Sequence, residues 1–506
     1  MVTMTQKTST KPTNLEAAPQ SAARLSRPPV VVIVGHVDHG KTTLLDYIRK
    51  TKVADREAGG ITQATSAYEV VHNGRKITFI DTPGHEAFGA MRTRGAQAAD
   101  LAILVISAEE GMKPQTKEAL QILEGALTPF VIAFTKIDRT NGNIDKPRND
   151  LMAAGVLLEG FGGQISFHGV SGKTGEGVPE LLDMLLLMAD VEDFSYDPTA
   201  DAKGFILEAR REPQRGIEAT LILKDGTLKR GDAIATPSAH GKVKILENFL
   251  GKVVNELVPS APATVIGWEE MPRIGEEFIT GEISVLGSRL SAQPHRTMPE
   301  IRNMKSRGGD LPLILKASDA GSLEALLVVL RGIDHAEEKG LRIIESSVGD
   351  ITDGDVKLAA TTGASIIGFK CRVEKAAQGY GEAQKVRIIT SKIVYDLEKA
   401  VNDFMTEQLS PIAGEIEVIA LFNQTKMQKQ LVGGRVTYGT FRAPATCEIL
   451  RQAGPEVPHA PLGSGKVISL HEKKNEIHTA EKEKEIGIVV GSSVLIQVGD
   501  RLVIKK

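Results

Sequence analysis

From Pro28 to about Asp193, short apolar runs at 30–34, 68–71, 76–80, 101–106, 130–134 and 165–168 alternate with stretches of helical spacing such as 114–125 and 178–189. Uninterrupted apolar runs predict strands buried on both faces, so this region reads as a mostly parallel sheet covered by helices. An acidic, proline-bearing linker follows at 192–202, and the rhythm then changes to short strands with tight turns over 203–284. Gly204–Leu207, Ala219–Leu223 and Val265–Gly267 are strand patterns, Asp225-Gly226 is a hairpin signal, and the segment predicts a small β-barrel with Trp268 in its core or rim. The polar, basic stretch 281–309 reads as a solvated connector, with an RNA-facing patch as the alternative. Strands at 311–315, 341–346 and 364–369 then alternate with helices, one of them capped by Gly321-Ser322, giving an α/β/α unit over 307–392. Ile393, Val394, Leu397, Val401, Phe404 and Met405 recur at helical spacing and predict a connecting helix over 393–410. Strand patterns return over 411–506, at 415–422, 434–438, 446–450, 467–470 and 494–498, with a closing turn at Gly499-Asp500-Arg501. The expected fold class is therefore multidomain α/β plus β: a phosphate-loop domain over 28–193, a β-barrel, a second α/β/α domain and a C-terminal β-barrel.

The first apolar run leads into candidate chemistry. Gly35, His36, Val37, Asp38, His39, Gly40, Lys41 and Thr42 form a complete G-x-x-x-x-G-K-[ST] loop, and Thr43 continues into a helical pattern. In such a loop the backbone N–H groups and helix N-terminus cradle phosphates, Lys41 neutralises β/γ charge, and the Thr42 hydroxyl ligates Mg²⁺. The strand at 76–80 delivers Asp81-Thr82-Pro83-Gly84-His85. Asp81 is placed to hold the magnesium ion through water, and Gly84, lacking a Cβ, lets its N–H approach the γ-phosphate. Between these motifs, Ala58–Thr62 is a glycine-bearing segment ending in a hydroxyl, and Thr62 is the expected second metal and γ-phosphate contact.

Base choice is carried farther along. Val131–Phe134 leads into Thr135-Lys136-Ile137-Asp138, and Ser171-Gly172-Lys173 follows the run at 165–168. An ionised Asp138 is acceptor-only, so it suits the N1–H and amino group of guanine and repels the N1 lone pair of adenine. The Lys136 stem fits along the base, and the backbone of 171–173 fits guanine O6. Thr135 opens this turn and is expected at the guanine site. The expected ligands are thus GTP and Mg²⁺.

Length and composition set limits. The 506 residues suffice for several domains, and 41% hydrophobic with 25% charged residues describes a globular chain. With 61 Lys+Arg against 64 Asp+Glu, bulk charge gives no support for nucleic-acid binding, so any such contact needs local patches. Two cysteines, Cys371 and Cys447, make no disulfide framework and fit a reducing compartment. No apolar run approaches the ~18 residues of a membrane span. Residues 1–27 are rich in Thr, Ser, Lys, Ala and Pro and read as a disordered tail, with a transit peptide as the alternative.

GHVDHGKTTLLD and FIDTPGHEAF resemble the translational GTPases in general. GTLKRGD, LILKASDAGSLEAL with VGDITDGDV, and VISLHEKKNEI resemble segments of the bacterial and organellar translation initiation factor 2 family, in the family's order. The resemblance implies a factor that, with GTP bound, recruits initiator formylmethionyl-tRNA to the small ribosomal subunit and promotes subunit joining. Ribosome-stimulated hydrolysis and release then follow. It also implies a monomer off the ribosome, ribosomal RNA as a partner, a cytoplasmic or organellar setting, and His85 as the residue that positions the attacking water. In the last barrel it implies an initiator-tRNA site around Gly434, Arg435 and Ile486. There the chain departs from the family, with Leu431-Val432-Gly433-Gly434 and Glu485-Ile486-Gly487 where relatives carry cysteines. The competing readings are a specialised elongation-type tRNA-delivery GTPase, and a GTP-gated RNA- or ribosome-binding assembly protein with little turnover.

Overall fold

The first sheet is buried on both sides. In a computed structural model that describes residues 24–51, 62–63, 65–281, 311–333, 341–409, 412–423, 427–452, 460–473 and 475–505, six strands lie side by side. They are β1 (Val30–Gly35), β2 (Ser66–His72), β3 (Arg75–Asp81), β4 (Leu101–Ser107), β5 (Phe130–Thr135) and β6 (Phe167–Gly169), in the order β2-β3-β1-β4-β5-β6. Only β2 runs antiparallel to its neighbour. Alternate residues of β1 point to opposite cores: Val31 and Ile33 pack with Leu44, Leu181 and Leu185, while Val32 and Val34 pack with Ala96, Leu120 and Leu123. This explains why the runs are continuous rather than alternating. The covering helices are α1 (Lys41–Arg49), α2 (Gly89–Ala98), α3 (Pro114–Ala126), α4 (Asp145–Ala153) and α5 (Val178–Glu192).

Next comes a closed antiparallel barrel of β7 (Lys203–Glu212), β8 (Gly216–Asp225), β9 (Ala233–Ala235), β10 (His240–Asn248), β11 (Pro262–Trp268) and β12 (Glu277–Thr280), in the order β8-β11-β10-β9-β12-β7. Trp268 sits in its core. The Asp225-Gly226 turn does not close a hairpin. Asp225 instead accepts from the Asp197 and Gly226 amides, and Leu228–Lys229 turns away to pair with Glu256–Leu257. Sequence-distant pairing overrides the local signal here.

A four-stranded parallel sheet follows, made of β13 (Leu311–Ala317), β14 (Leu341–Val348), β15 (Ser365–Phe369) and β16 (Ile388–Ser391) in the order β14-β13-β15-β16. Its helices are α6 (Ala320–Ile333), α7 (Asp353–Thr362) and α8 (Lys375–Gln384), and α9 (Val394–Leu409) begins just after β16. The α6 cap is Asp319, whose carboxylate accepts from the Ser322 amide and hydroxyl, rather than Gly321-Ser322.

The chain divides into two compact units, Met1–Glu398 and Lys399–Lys506. The second holds β17 (Ile412–Asn423), β18 (Gln430–Arg442), β19 (Ala445–Arg451), β20 (Ala460–Glu472), β21 (Asn475–Ile477), β22 (Thr479–Glu481), β23 (Glu485–Ser492) and β24 (Arg501–Lys505). Their order is β17-β24-β19-β20-β23-β18-β22, with β17 also paired to β18. The strand expected at 494–498 is a loop, and the strands lie on either side of it. Asp500 is buried and accepts from the Gln497 amide and from Arg451, while the Ile496 amide donates to Gln430 Oε1. Side chains therefore take backbone groups that a ladder would need.

Residues 1–23, residues 58–61 of the glycine-bearing segment, and all of the basic stretch 281–309 except Gly281 lie outside the described residues. The end of the expected tail is ordered: Leu25–Ser26 pairs with Ser195–Tyr196, and Arg27 makes a two-pronged pair with Asp100 at 2.6 and 2.8 Å. Asp100 also takes the Val30 amide and Lys224 of β8, tying chain entry, sheet and barrel together.

Candidate functional site

The loop between β1 and α1 is built on unusual backbone. Asp38 has φ 61° and Gly40 φ 85°, both left-handed, which turns successive N–H groups toward one side. Gly35 has φ 150° and lies so close to β4 that a Cβ would meet Val105 O at 2.4 Å. Lys41 is buried and donates from Nζ to Gly35 O at 2.9 Å and His36 O at 2.6 Å. Burial pushes its ammonium down to about 8, against the opposing pull of Asp81. A charge held in so dry a place is poised for an anionic ligand.

This loop forms one wall of a cleft of about 410 Å³. The lining includes Val37, Asp38, Gly40, Lys41, Thr42, Thr43, Thr62, Gly84, His85, Thr135, Lys136, Asp138, Gly172 and Lys173, each named by the sequence, together with Arg139, which was not. At the phosphate-loop end, Thr42 Oγ1 and Thr62 Oγ1 are 2.8 Å apart. Asp81 is buried at the end of β3. Two hydroxyls and a carboxylate are hard oxygen donors, a set that fits Mg²⁺ rather than a softer metal. A Cβ on Gly84 would lie 2.6 Å from Lys41 Nζ and 3.1 Å from Val37 N, so a side chain here would crowd the lysine and the phosphate loop.

His85 caps the short 3₁₀ turn Glu86–Phe88. Its Nδ1 accepts from the Ala87 amide at 2.9 Å, which leaves the proton of the neutral ring on Nε2. Burial lowers its pKa and favours that neutral form. The ring meets Tyr395 edge-on, with centroids 4.3 Å apart.

At the other end, Asp138 Oδ1 accepts from Ser171 Oγ at 2.7 Å, and Ser171 Oγ in turn accepts from the Thr174 amide at 3.1 Å. Lys136 has φ 62°, and its Nζ lies 3.7 Å from Glu109 and 3.5 Å from Glu110. Thr135 donates to His39 O, stitching the base-side turn to the phosphate loop, and so supplies a brace in hydroxyl form. A Cβ on Gly172 would strike the α1 backbone at Leu44 N, 2.8 Å away.

Gly35, His36, His39, Ser171 and Asp81 support the cleft rather than line it. His39 is wholly buried beside the His36 ring (4.9 Å), and burial pushes its pKa down to about 4. Sequence reasoning missed Gln115, whose Oε1 accepts from the Val37 amide at 3.1 Å, and Gln63 and Tyr395. None carries a local motif.

In the second unit, Gly434 and Ile486 are register partners, as are Arg435 and Glu485. Ile486 is part of the barrel core, and a Cβ on Gly434 would meet Ile416 Cγ2 at 2.3 Å. Both positions face packed interior. Arg435 is exposed and paired with Glu485 at 2.6 Å. The three expected pocket residues thus do not share one surface.

Residues 27–190 match the sequence model of the elongation factor Tu GTP binding domain, 201–281 that of elongation factor G domain 2, and 288–402 that of translation-initiation factor 2. Translation initiation factor IF-2 of Anoxybacillus flavithermus is 37% identical over 496 residues, covering 94% of this chain and 68% of that protein. The Bacillus subtilis protein of the same name is 36% identical with the same two coverages, and that of Nitratiruptor is 38% identical over 94% of this chain and 58% of its own length. The chain thus spans roughly 58–68% of these three relatives. Among solved structures, GDP-bound aIF5B from Aeropyrum pernix has a TM-score of 0.48 at 26% identity, covering 95% of this chain and 92% of that one. A guanine-nucleotide cleft on a translational GTPase fold, with relatives of this identity and coverage, means that the chain belongs to the translation initiation factor IF-2 family, whose members are GTPases.

Proposed function

We propose that this protein binds GTP with Mg²⁺, brings initiator formylmethionyl-tRNA to the small ribosomal subunit, promotes joining of the large subunit, and then hydrolyses GTP under ribosomal stimulation and leaves. The observation that carries this reading is the single cleft that gathers the phosphate loop, Thr62, Gly84-His85, Asp138 and Gly172-Lys173 in a chain of this family. Family membership disfavours the elongation-type alternative. The family's setting in translation supports the cytoplasm, or the interior of an organelle, as the place of action.

In this reading, the amides of residues 37–42 and Lys41 hold the β- and γ-phosphates, and Gly84 N–H contacts the γ-phosphate. Thr42, Thr62 and Asp81 hold Mg²⁺, directly or through water, and the ion supplies charge neutralisation on the phosphates. Asp138, fixed by Ser171, takes the N1–H and amino group of guanine, while Lys136 and the backbone at 172–173 complete the base site. His85, neutral with its proton on Nε2, orients the water that attacks the γ-phosphate. Phosphoryl transfer asks chiefly for positioning and charge stabilisation, which these groups provide. For tRNA, Arg435 is the one exposed candidate of the three in the second unit.

The experiment is recruitment of labelled formylmethionyl-tRNA to small ribosomal subunits by the full chain with GTP, a non-hydrolysable analogue or GDP. Recruitment with GTP and the analogue, and much less with GDP, is expected. Recruitment independent of nucleotide would overturn the reading.

A further inference from the structure

The chain beside Thr62 is held by residues more than three hundred positions away. Gln63 is buried, and both ends of its side-chain amide and its backbone oxygen are engaged by the second α/β domain. Its Nε2 donates to Lys392 O at 3.1 Å, its Oε1 accepts from the Val394 amide at 3.0 Å, and its backbone oxygen accepts from Lys370 Nζ at 2.7 Å. Lys370 and Lys392 directly follow β15 and β16, so this receptor sits at the carboxyl edge of an open parallel sheet, where such sheets bind their ligands. The receptor is shaped for the purpose. Lys370 has φ 56°, a left-handed backbone, and its amide bonds to Ser391 O, joining the two strand ends. Ser391 Oγ accepts from the Ile393 amide and so fixes the turn that presents Lys392 O and the first amide of α9. That amide belongs to the first turn of a helix, where N–H groups have no intrahelical acceptor, so a carboxamide oxygen is a fitting cap. The next residue along, Tyr395, rests on His85.

We propose that the carboxyl edge of the second α/β domain is a receptor for Gln63, and that Gln63 is a positioning residue through which this domain holds Thr62 at the γ-phosphate end of the nucleotide cleft. The proposal rests on the assignment of Thr62 to the metal and γ-phosphate. Thr62 is one bond from Gln63 in the chain and within 2.8 Å of Thr42, so a segment anchored at Gln63 has far less conformational freedom to lose when Thr62 engages its ligand. Linkage then makes the effect reciprocal: a nucleotide bearing a γ-phosphate must tighten the 391–395 turn by the same factor that the turn tightens its binding.

The test uses the full chain with Mg²⁺ and compares a non-hydrolysable GTP analogue with GDP. In the wild type, analogue binding is expected to slow amide exchange at Val394 and Tyr395 relative to GDP. In Gln63→Ala and in Lys370→Met, that protection should vanish and analogue affinity should fall about tenfold, with GDP affinity unchanged. Lys370→Arg, which keeps a donor for the Gln63 oxygen, should restore most of both. A merely structural role would instead lower GDP affinity together with analogue affinity. If the wild type shows the protection and the preference but the variants retain both, the receptor proposal is wrong and the Thr62 assignment stands. A wild type that distinguishes the two nucleotides at neither site would sink both.

Discussion

The ring of His85 is fixed from two directions, by the Ala87 amide on Nδ1 and by the face-to-edge contact with Tyr395. A group that only orients water should matter for the rate and not for nucleotide affinity. Replacing it, as His85→Ala, is expected to slow hydrolysis by ~10²-fold or more with GTP binding intact, as read by single-turnover kinetics beside equilibrium titration. A loss of affinity of similar size would assign it to binding instead. Asp138 makes a second residue-scale case. Asp138→Asn converts an acceptor-only group into one that can also donate, so preference should move from guanine toward xanthine nucleotides in competition binding; retained guanine preference would contradict its role. That these two residues share one cleft was legible in the sequence, because phosphate and base recognition need several groups at fixed short spacing. Gln63, Gln115 and Tyr395 were not legible, because each works through a partner brought near only by folding.

Two elements meet others through buried carboxylates, and they predict opposite pH behaviour. Burial would raise the pKa of Asp100, but Arg27 and Lys224 outweigh it and hold the carboxyl below the ordinary range. A folded pKa below the unfolded one means stability that is present above the unfolded pKa and lost as pH falls through the folded one. Asp100→Asn leaves two cations without their partner and should cost about 3 kcal/mol at neutral pH in denaturant unfolding, with a smaller cost in acid. Glu208 on β7 is the reverse. Buried first of all, and next to Asp319, its carboxyl is pushed up to about 8, although the Ala209 and Gly321 amides and Arg94 pull the other way. Its folded pKa is raised, so its contribution is full below the ordinary 4.5 and is lost as pH rises toward 8. Glu208→Gln cannot ionise, so the melting temperature of the variant should gain on the wild type between pH 5 and pH 8; a constant difference would refute the buried acid. Element legibility followed the same logic. Strands buried on both faces announced themselves, whereas β23, with Gly487 and Gly491, did not. The loop at 494–498 has strand-like residues, and only the buried Asp500 and Gln430, placed by distant strands, make it a loop.

At the scale of the whole molecule, two compact units share one chain, and the catalytic cleft lies entirely in the first. The order of sheet, barrel, second sheet and second barrel was readable from the alternation of apolar runs and turns. The register within each barrel was not, since it depends on which edges meet. The phosphate loop, Thr62, His85 and Asp138 are gathered in one cleft, and the proposed GTP hydrolysis rests on that gathering. The most direct measurement is GTP turnover by the wild type and by His85→Ala, each alone and with bacterial ribosomes. The account predicts a slow unaided rate, a rise of at least ~10²-fold with ribosomes for the wild type, and little rise for the variant. Equal rates with and without ribosomes, or equal stimulation of the two proteins, would contradict it.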